Sequence, residues 1–96
     1  MKMNLNLLKT FTKVAEFGSF TQAAKHLKQP KSRVSRSISR LEEELKTELI
    51  KRTTRSTSLT EAGKSLYQET QPLLEQLERK ILLLALKLVV YSFMIV

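Results

Sequence analysis

The stretch that decides the fold is residues 30–45, PKSRVSRSISRLEEEL. Its apolar side chains recur at steps of four, three and four residues, at Val34, Ile38, Leu41 and Leu45. This spacing places them in one stripe on an α-helix. Proline disfavours helical geometry in the residue before it but suits the first turn of a helix, so we expect a helix from Pro30 to about Leu45.

The opposite face of this helix combines small hydroxyl side chains with long cationic ones. Its members are Lys31, Ser32, Arg33, Ser35, Arg36, Ser39 and Arg40. Small residues let a helix enter a DNA major groove, and arginines bind guanine edges or phosphates. Three glutamates follow at 42–44, where they oppose the helix macrodipole, so we interpret them as pointing away from the DNA backbone. The pattern predicts a DNA-recognition helix.

Two shorter helices are predicted before it. The first covers about Asn4 to Glu16, with apolar positions at helical spacing, and Gly18 ends it because glycine enters the left-handed conformation at little cost. Ser19 and Gln22 have the spacing of a capping box and start the second helix. A turn at about residues 28 and 29 would then join the second helix to the third. The arrangement predicts a helix-turn-helix.

A short β-hairpin is expected after the third helix. Residues 49–52 and 57–59 are rich in residues that favour strands, and a polar turn separates them. Lys51, Arg52 and Arg55 lie on or beside this hairpin, enough for phosphate contacts or for an arginine in the minor groove. The alternative is an exposed basic loop without a role.

A long helix is expected from Thr60, which is a suitable N-cap. A stripe at steps of four and three runs along it: Leu66, Thr70, Leu73, Leu77, Ile81 and Leu84. A helix with one apolar stripe needs a partner, and one alternative is that this helix folds back on its own domain. Pro72 removes one backbone hydrogen bond, so a local kink is expected.

Residues 81–96 do not fit the rest of the chain, because all except Lys87 and Ser92 are apolar. A membrane-spanning helix needs about 20 predominantly apolar residues, so a membrane anchor is the less favoured interpretation. We expect helix to about Leu88 and fraying beyond it. Our hypothesis is that the reading frame of a longer protein was interrupted near Arg79 or Lys80, which would make this tail accidental.

The composition excludes several function classes. The 96 residues contain 17 Lys and Arg, nine acids that are all glutamate, two glycines, no cysteine and one histidine, with a net charge of +8. Thiol chemistry is therefore excluded, and two glycines are too few for the usual phosphate-binding loops. Such a charge favours a polyanionic partner, and six cations without an acid lie between Lys25 and Arg40. The alternative for any such run is a solvated basic face.

Many separate blocks, in order and at matching spacing, resemble the winged helix-turn-helix domain of LysR-type transcriptional regulators. They are Asn6–Phe11, Val14–Glu16, Gly18–Thr21, Ala23-Ala24, Val34–Arg36, Ile38, Leu41–Leu45, Leu49, Arg52-Thr53 and Leu59–Gly63. The resemblance spans about residues 4–78. It implies that the DNA-facing positions are Lys31, Ser32, Arg33, Ser35 and Arg36, with Arg55 at the wing tip. It also implies that the long helix from Thr60 is the linker helix that pairs two subunits in a homodimer, which fits two half-sites read by a two-fold dimer.

Two residues depart from the family pattern. Gln29 stands where the family has an aliphatic side chain, so we expect it to turn outward or to bond to the backbone. Lys46 replaces the usual glycine, and a left-handed lysine would cost about 1 to 2 kcal/mol. Members of the family usually continue into a larger effector-binding domain, so we expect no small-molecule effector site in this chain.

The predicted protein is mainly α-helical, with a winged helix-turn-helix at 1–59, a linker and dimerisation helix at 60–80 and a hydrophobic tail at 81–96. We predict a sequence-specific regulator that binds double-stranded DNA as a homodimer in the cytoplasm, associated with the nucleoid. It would not be an enzyme and would need no cofactor or metal, because His26 has no companion ligand. The alternative is a membrane-tethered or partner-binding helical protein that acts through its tail.

Overall fold

The computed structural model describes residues 3–53 and 57–95 as four helices and one hairpin. The elements in chain order are α1 (Leu5–Phe17), α2 (Phe20–Leu27), α3 (Lys31–Leu45), β1 (Ile50–Arg52), β2 (Thr57–Leu59) and α4 (Glu61–Ile95). This architecture confirms the predicted mainly α-helical winged helix-turn-helix followed by a long helix.

Local side-chain and backbone preferences fix the ends of the first two helices. The Asn4 side chain accepts a hydrogen bond from the N–H of Asn6 at 2.9 Å and caps α1. Gly18 ends α1 in the left-handed conformation, with φ of 62°. Ser19 Oγ then accepts from the N–H of Gln22 at 3.1 Å, as the predicted cap of α2 requires.

Two lysines adopt the left-handed conformation where glycine is the usual residue. Lys28 ends α2 with φ of 56°, and Lys46 ends α3 with φ of 54°. In the turn between α2 and α3, the half-buried Gln29 donates its backbone N–H to the Ala24 carbonyl at 3.0 Å. The chain therefore closes both helix ends with the ordinary geometry, and each β-carbon adds a steric cost.

The core lies between the first three helices and the base of the hairpin. Its buried apolar residues are Leu7, Leu8, Phe11, Val14, Phe20, Ala23, Ala24, Val34, Ile38, Leu41, Leu49 and Ile50. The predicted stripe of α3 is confirmed, since Val34, Ile38 and Leu41 are fully buried and Leu45 packs at the edge. Because this stripe faces α1 and α2, the opposite face of α3 is directed outward.

Hydrogen bonds join the two strands of the hairpin and connect the start of α4 to Leu49, the residue before β1. β1 and β2 pair antiparallel, with Ile50 opposite Leu59. Thr60 donates its backbone N–H to the Leu49 carbonyl at 3.0 Å, and its Oγ1 accepts from the N–H of Gly63 at 3.0 Å. Thr60 is therefore the N-cap of α4, as predicted.

α4 is longer than the sequence predicted. It continues through Pro72 to Ile95, so the expectation of fraying beyond Leu88 was wrong. Residues 89–95 are mostly β-branched or aromatic and are not strong helix formers, but a helix that is already nucleated extends at little cost because each added residue gains one backbone hydrogen bond. Its early turns pack on the domain through the half-buried Leu66, Tyr67 and Leu74. Within residues 3–53 and 57–95, no helix combines the length and apolarity that a membrane crossing needs.

Candidate nucleic-acid interface

The outward face of α3 carries most of the residues predicted to contact DNA. The exposed members are Lys31, Ser32, Arg33, Arg36, Ser39 and Arg40, while Ser35 is half-buried. Burial of the apolar stripe on the other side of the helix brings these side chains together on one surface. The structure thus presents a row of cations and hydroxyls on a rigid helix.

Most cations of this face have no acidic partner. Across the described part of the chain, the side chains of Lys31, Arg33 and Arg36 make no hydrogen bond or ion pair. Arg40 Nε lies 3.8 Å from Glu44 Oε1, and the Arg40 side chain is 68% exposed. Such an exposed pair contributes little, because solvent screens it. All four cations are therefore available to a polyanion.

Arg52, the last residue of β1, turns back onto α3. Its Nη1 donates to Ser35 Oγ at 3.2 Å, and its Nη2 donates to Ser39 Oγ at 3.4 Å. The guanidinium carbon lies 4.9 Å from the centre of the Phe20 ring, within the range of a cation–π contact. Arg52 therefore contacts two of the other residues predicted to bind DNA, Ser35 and Ser39.

Glu42 holds the start of the same strand. Its Oε2 accepts from the N–H of Leu49 at 2.8 Å and from that of Ile50 at 3.2 Å. Its Oε1 lies 3.9 Å from Arg52 Nη2. The interpretation that this acid only points away from DNA was incomplete, because Glu42 attaches β1 to α3. The i, i+4, i+7 spacing of Ser35, Ser39 and Glu42 was the signal in the sequence, since it aligns all three on one side of a helix.

The remaining predicted wing residues are only partly described. Lys51 is exposed on β1. Arg55, which the resemblance places at the wing tip, lies outside the described residues. The described part of the wing therefore offers Lys51 at the surface and Arg52 against α3.

The predicted dimerisation residues have different environments along the length of α4. Leu66 is half-buried against the core, and Thr70 is half-buried with its Oγ1 donating to the Leu66 carbonyl at 2.6 Å. In contrast, Leu73, Leu77 and Ile81 are exposed. The half of the stripe that lies nearer the N-terminus thus faces its own domain, and the other half faces outward.

The lone histidine is a surface residue. His26 is exposed on α2, and its ring lies 5.3 Å from that of Phe17. Within residues 3–53 and 57–95, no group of three or more His, Asp, Glu or Cys side chains is placed to hold a metal ion.

Sequence comparison places the helix-turn-helix in a known family. The family described as bacterial regulatory helix-turn-helix protein, lysR family, matches residues 5–64. The HTH-type transcriptional activator AaeR of Escherichia coli K12 is 45% identical over 74 residues, covering 77% of this chain and 24% of that protein. The HTH-type transcriptional regulator CrgA of Neisseria meningitidis MC58 is 44% identical over 77 residues, covering 80% and 26%. This chain therefore spans about a quarter of the length of these relatives.

Solved structures share the same arrangement of helices and hairpin. The BenM_DBD/catB site 1 DNA complex superposes with a TM-score of 0.80 at 35% identity, covering 86% of this chain and 92% of that chain. The full-length Vibrio cholerae virulence activator AphB, a member of the LTTR family, gives 0.79 at 38% identity, covering 82% and 27%. On the family match and these relatives, the chain belongs to the LysR family of bacterial helix-turn-helix regulatory proteins.

Proposed function

We propose that this chain is the DNA-reading part of a sequence-specific transcriptional regulator. The observation that carries the proposal is the outward face of α3, where exposed cations and hydroxyls lie on a helix whose other side is the core. Such a face matches the width and charge of a DNA major groove. The similarity to a domain that was crystallised with DNA supports the same conclusion.

The residues of α3 would divide between base reading and phosphate binding. Arginine forks onto guanine edges, so Arg33 and Arg36 are the proposed base readers. Lys31 and Arg40 would bind phosphates, and Ser32, Ser35 and Ser39 would leave room for close approach to the groove. In the wing, Lys51 would bind phosphate, and the resemblance assigns Arg55 to the tip.

The chain would act as a homodimer through α4. The outward part of its stripe, Leu73, Leu77 and Ile81, is apolar and exposed, and a second copy would remove it from water. A two-fold dimer would present two α3 helices to half-sites about one helical turn apart or multiples of it.

In this proposal residues 1–59 form the reader, 60–80 the pairing helix, and 81–96 a hydrophobic extension of it. The protein would work in the cytoplasm, where bacterial DNA lies, in association with the nucleoid.

Salt-dependent binding to duplex DNA tests the reading function. Binding is measured with duplexes selected from a random-sequence library, and the logarithm of affinity should fall steeply with the logarithm of salt concentration. Arg36→Ala should cost about 1 to 3 kcal/mol and relax sequence preference if Arg36 reads a base. Arg79→Ala, which removes an exposed cation from α4, should leave affinity and preference unchanged. Binding that is flat with salt would refute the proposal.

Sedimentation equilibrium tests the dimer independently of DNA. Leu77→Asp places a charge in the outward stripe and should shift the protein towards monomer. Gln68→Asp introduces the same charge at an exposed position on the opposite side of α4, and should leave the association unchanged. A Leu77→Asp protein that associates as the wild type does would remove this stripe from the interface.

A further inference from the structure

A cluster of four side chains joins the wing to α3, and we name it the Arg52 clasp. It consists of Arg52 from β1 and of Ser35, Ser39 and Glu42 from α3. The guanidinium donates to both hydroxyls, at 3.2 and 3.4 Å, and lies 3.9 Å from the carboxylate. The planar guanidinium has several donors in a fixed fork, so it can serve two hydroxyls and an acid at the same time.

The environment of Arg52 differs from that of the free cations on α3. Its side chain is 40% exposed, its charge lies near the Glu42 carboxylate, and its guanidinium packs over the buried Phe20 ring. Turning Arg52 towards a DNA phosphate would break these contacts and leave Glu42 without its cation. These contacts therefore hold the Arg52 side chain against α3. The side chains of Arg33 and Arg36, by contrast, point outward from α3 and are exposed.

β1 is attached to α3 at both of its ends. At one end Glu42 Oε2 accepts from the N–H groups of Leu49 and Ile50. At the other end Arg52 donates to Ser35 and Ser39. Because β1 has only three residues, two attachment points fix both its position and its direction relative to α3.

From this geometry we infer that Arg52 is a positioning residue, which holds the wing at a fixed distance and angle from the recognition helix. The Ser35 and Ser39 hydroxyls accept its hydrogen bonds, so they act by holding Arg52 and not as independent DNA contacts. The inference rests on the proposed function for its consequence: the wing and α3 meet DNA as one rigid unit. It replaces the expectation that Arg52 binds phosphate.

Two substitutions at Arg52 separate positioning from phosphate binding. Affinity for library-selected duplexes is measured over a range of salt concentrations. Arg52→Lys keeps the charge but loses the fork, and we expect a loss of about tenfold or more with the wild-type salt slope. Arg52→Gln should give a similar loss and the same slope. Wild-type affinity for Arg52→Lys, or a slope reduced by about one for Arg52→Gln, would mean a phosphate contact and would overturn the inference.

Lys51→Gln is the matched control, because it removes the neighbouring wing charge without touching the clasp. A slope reduced by about one in this variant would demonstrate that the assay detects the loss of a single phosphate contact. A double-mutant cycle adds a second test. Once Arg52→Gln is present, the pair Ser35→Ala and Ser39→Ala should cost little more. Additive losses would mean that the serines contact DNA independently and would contradict the clasp.

Amide hydrogen exchange tests the clasp without DNA. In Arg52→Lys the amides of β1 and β2 should exchange faster, while those of Phe11 and Val14 in α1 should keep the wild-type rate. Unchanged hairpin exchange, or equal acceleration in α1, would overturn the positioning role. If the wild type bound no duplex at all, the proposed function would fail and this measurement would still decide whether the clasp holds the wing.

Discussion

Two apolar stripes of similar period have opposite environments in this molecule. On α3, Val34, Ile38 and Leu41 are each 0% exposed. On α4, Leu73, Leu77 and Ile81 are 63%, 46% and 57% exposed. The first stripe packs on α1 and α2, whereas α4 packs on the core through Leu66, Tyr67 and Leu74, and farther along its Glu78 forms an exposed ion pair with Lys9 of α1 at 3.3 Å. Periodicity therefore identifies the face of a helix that needs a partner but does not say where the partner is.

The same substitution, isoleucine to alanine, should have very different effects on stability in the two stripes. Ile38→Ala should lower the free energy of unfolding by about 2 to 5 kcal/mol, because it leaves a cavity in a closed core. Ile81→Ala leaves no cavity in the isolated chain, so its effect there should be within about 0.5 kcal/mol. Urea denaturation measures both.

The stability losses of these two variants should depend differently on protein concentration. If a second copy covers Ile81, the Ile81→Ala effect should grow with concentration, because association stabilises the folded state by mass action. The Ile38→Ala effect should keep its size at every concentration. Equal losses at high dilution would contradict the difference between the stripes.

The junction between α4 and the helix-turn-helix domain depends on a glycine, Gly63. A β-carbon at Gly63 would collide with the backbone carbonyl of Leu49, at the point where α4 leaves the hairpin. Gly63→Ala should therefore cost about 2 to 3 kcal/mol despite the better helix propensity of alanine. Ser65→Ala, at an exposed position of the same helix, should be neutral or slightly stabilising. A Gly63→Ala protein of wild-type melting temperature would mean that α4 shifts freely on the domain.

Adjacent acids on α3 should differ in their effect on stability. Glu42→Gln weakens the charge-assisted bonds to Leu49 and Ile50 and removes the charge beside Arg52, so we expect a loss of about 1 to 2 kcal/mol. Glu43→Gln alters an exposed carboxylate and should change stability by less than about 0.5 kcal/mol. Chemical denaturation of the two variants compares them directly, and equal effects would remove Glu42 from the attachment of β1.

The smallest expected effect is a gain at the end of α3. Lys46 has φ of 54°, so Lys46→Gly relieves the β-carbon and should stabilise the protein by about 0.5 to 1 kcal/mol. Lys46→Ala removes the same charge but keeps a β-carbon, and it should bring no gain. Thermal unfolding distinguishes the two, and a loss of stability in the glycine variant would contradict the steric explanation.

Local patterns were sufficient to predict much of the fold and part of the candidate interface. Caps at Ser19 and Thr60 and the stop at Gly18 depend on a few neighbouring residues, so the sequence contains them completely. The outward row on α3 also follows from helical periodicity once the buried stripe is known. The clasp was beyond this reasoning, because Arg52 meets Ser35 across 17 positions of the chain.

The sequence by itself determined where each helix begins, which face of α3 is apolar, and that the positive charge is concentrated between Lys25 and Arg40. These properties follow from short-range preferences and from the period of the helix. Only the tertiary structure decided that the stripe of α3 is enclosed while most of the α4 stripe is exposed, and that Arg52 binds α3. Enclosure and long-range hydrogen bonds depend on where distant segments meet, and that is set by the packing of the whole domain.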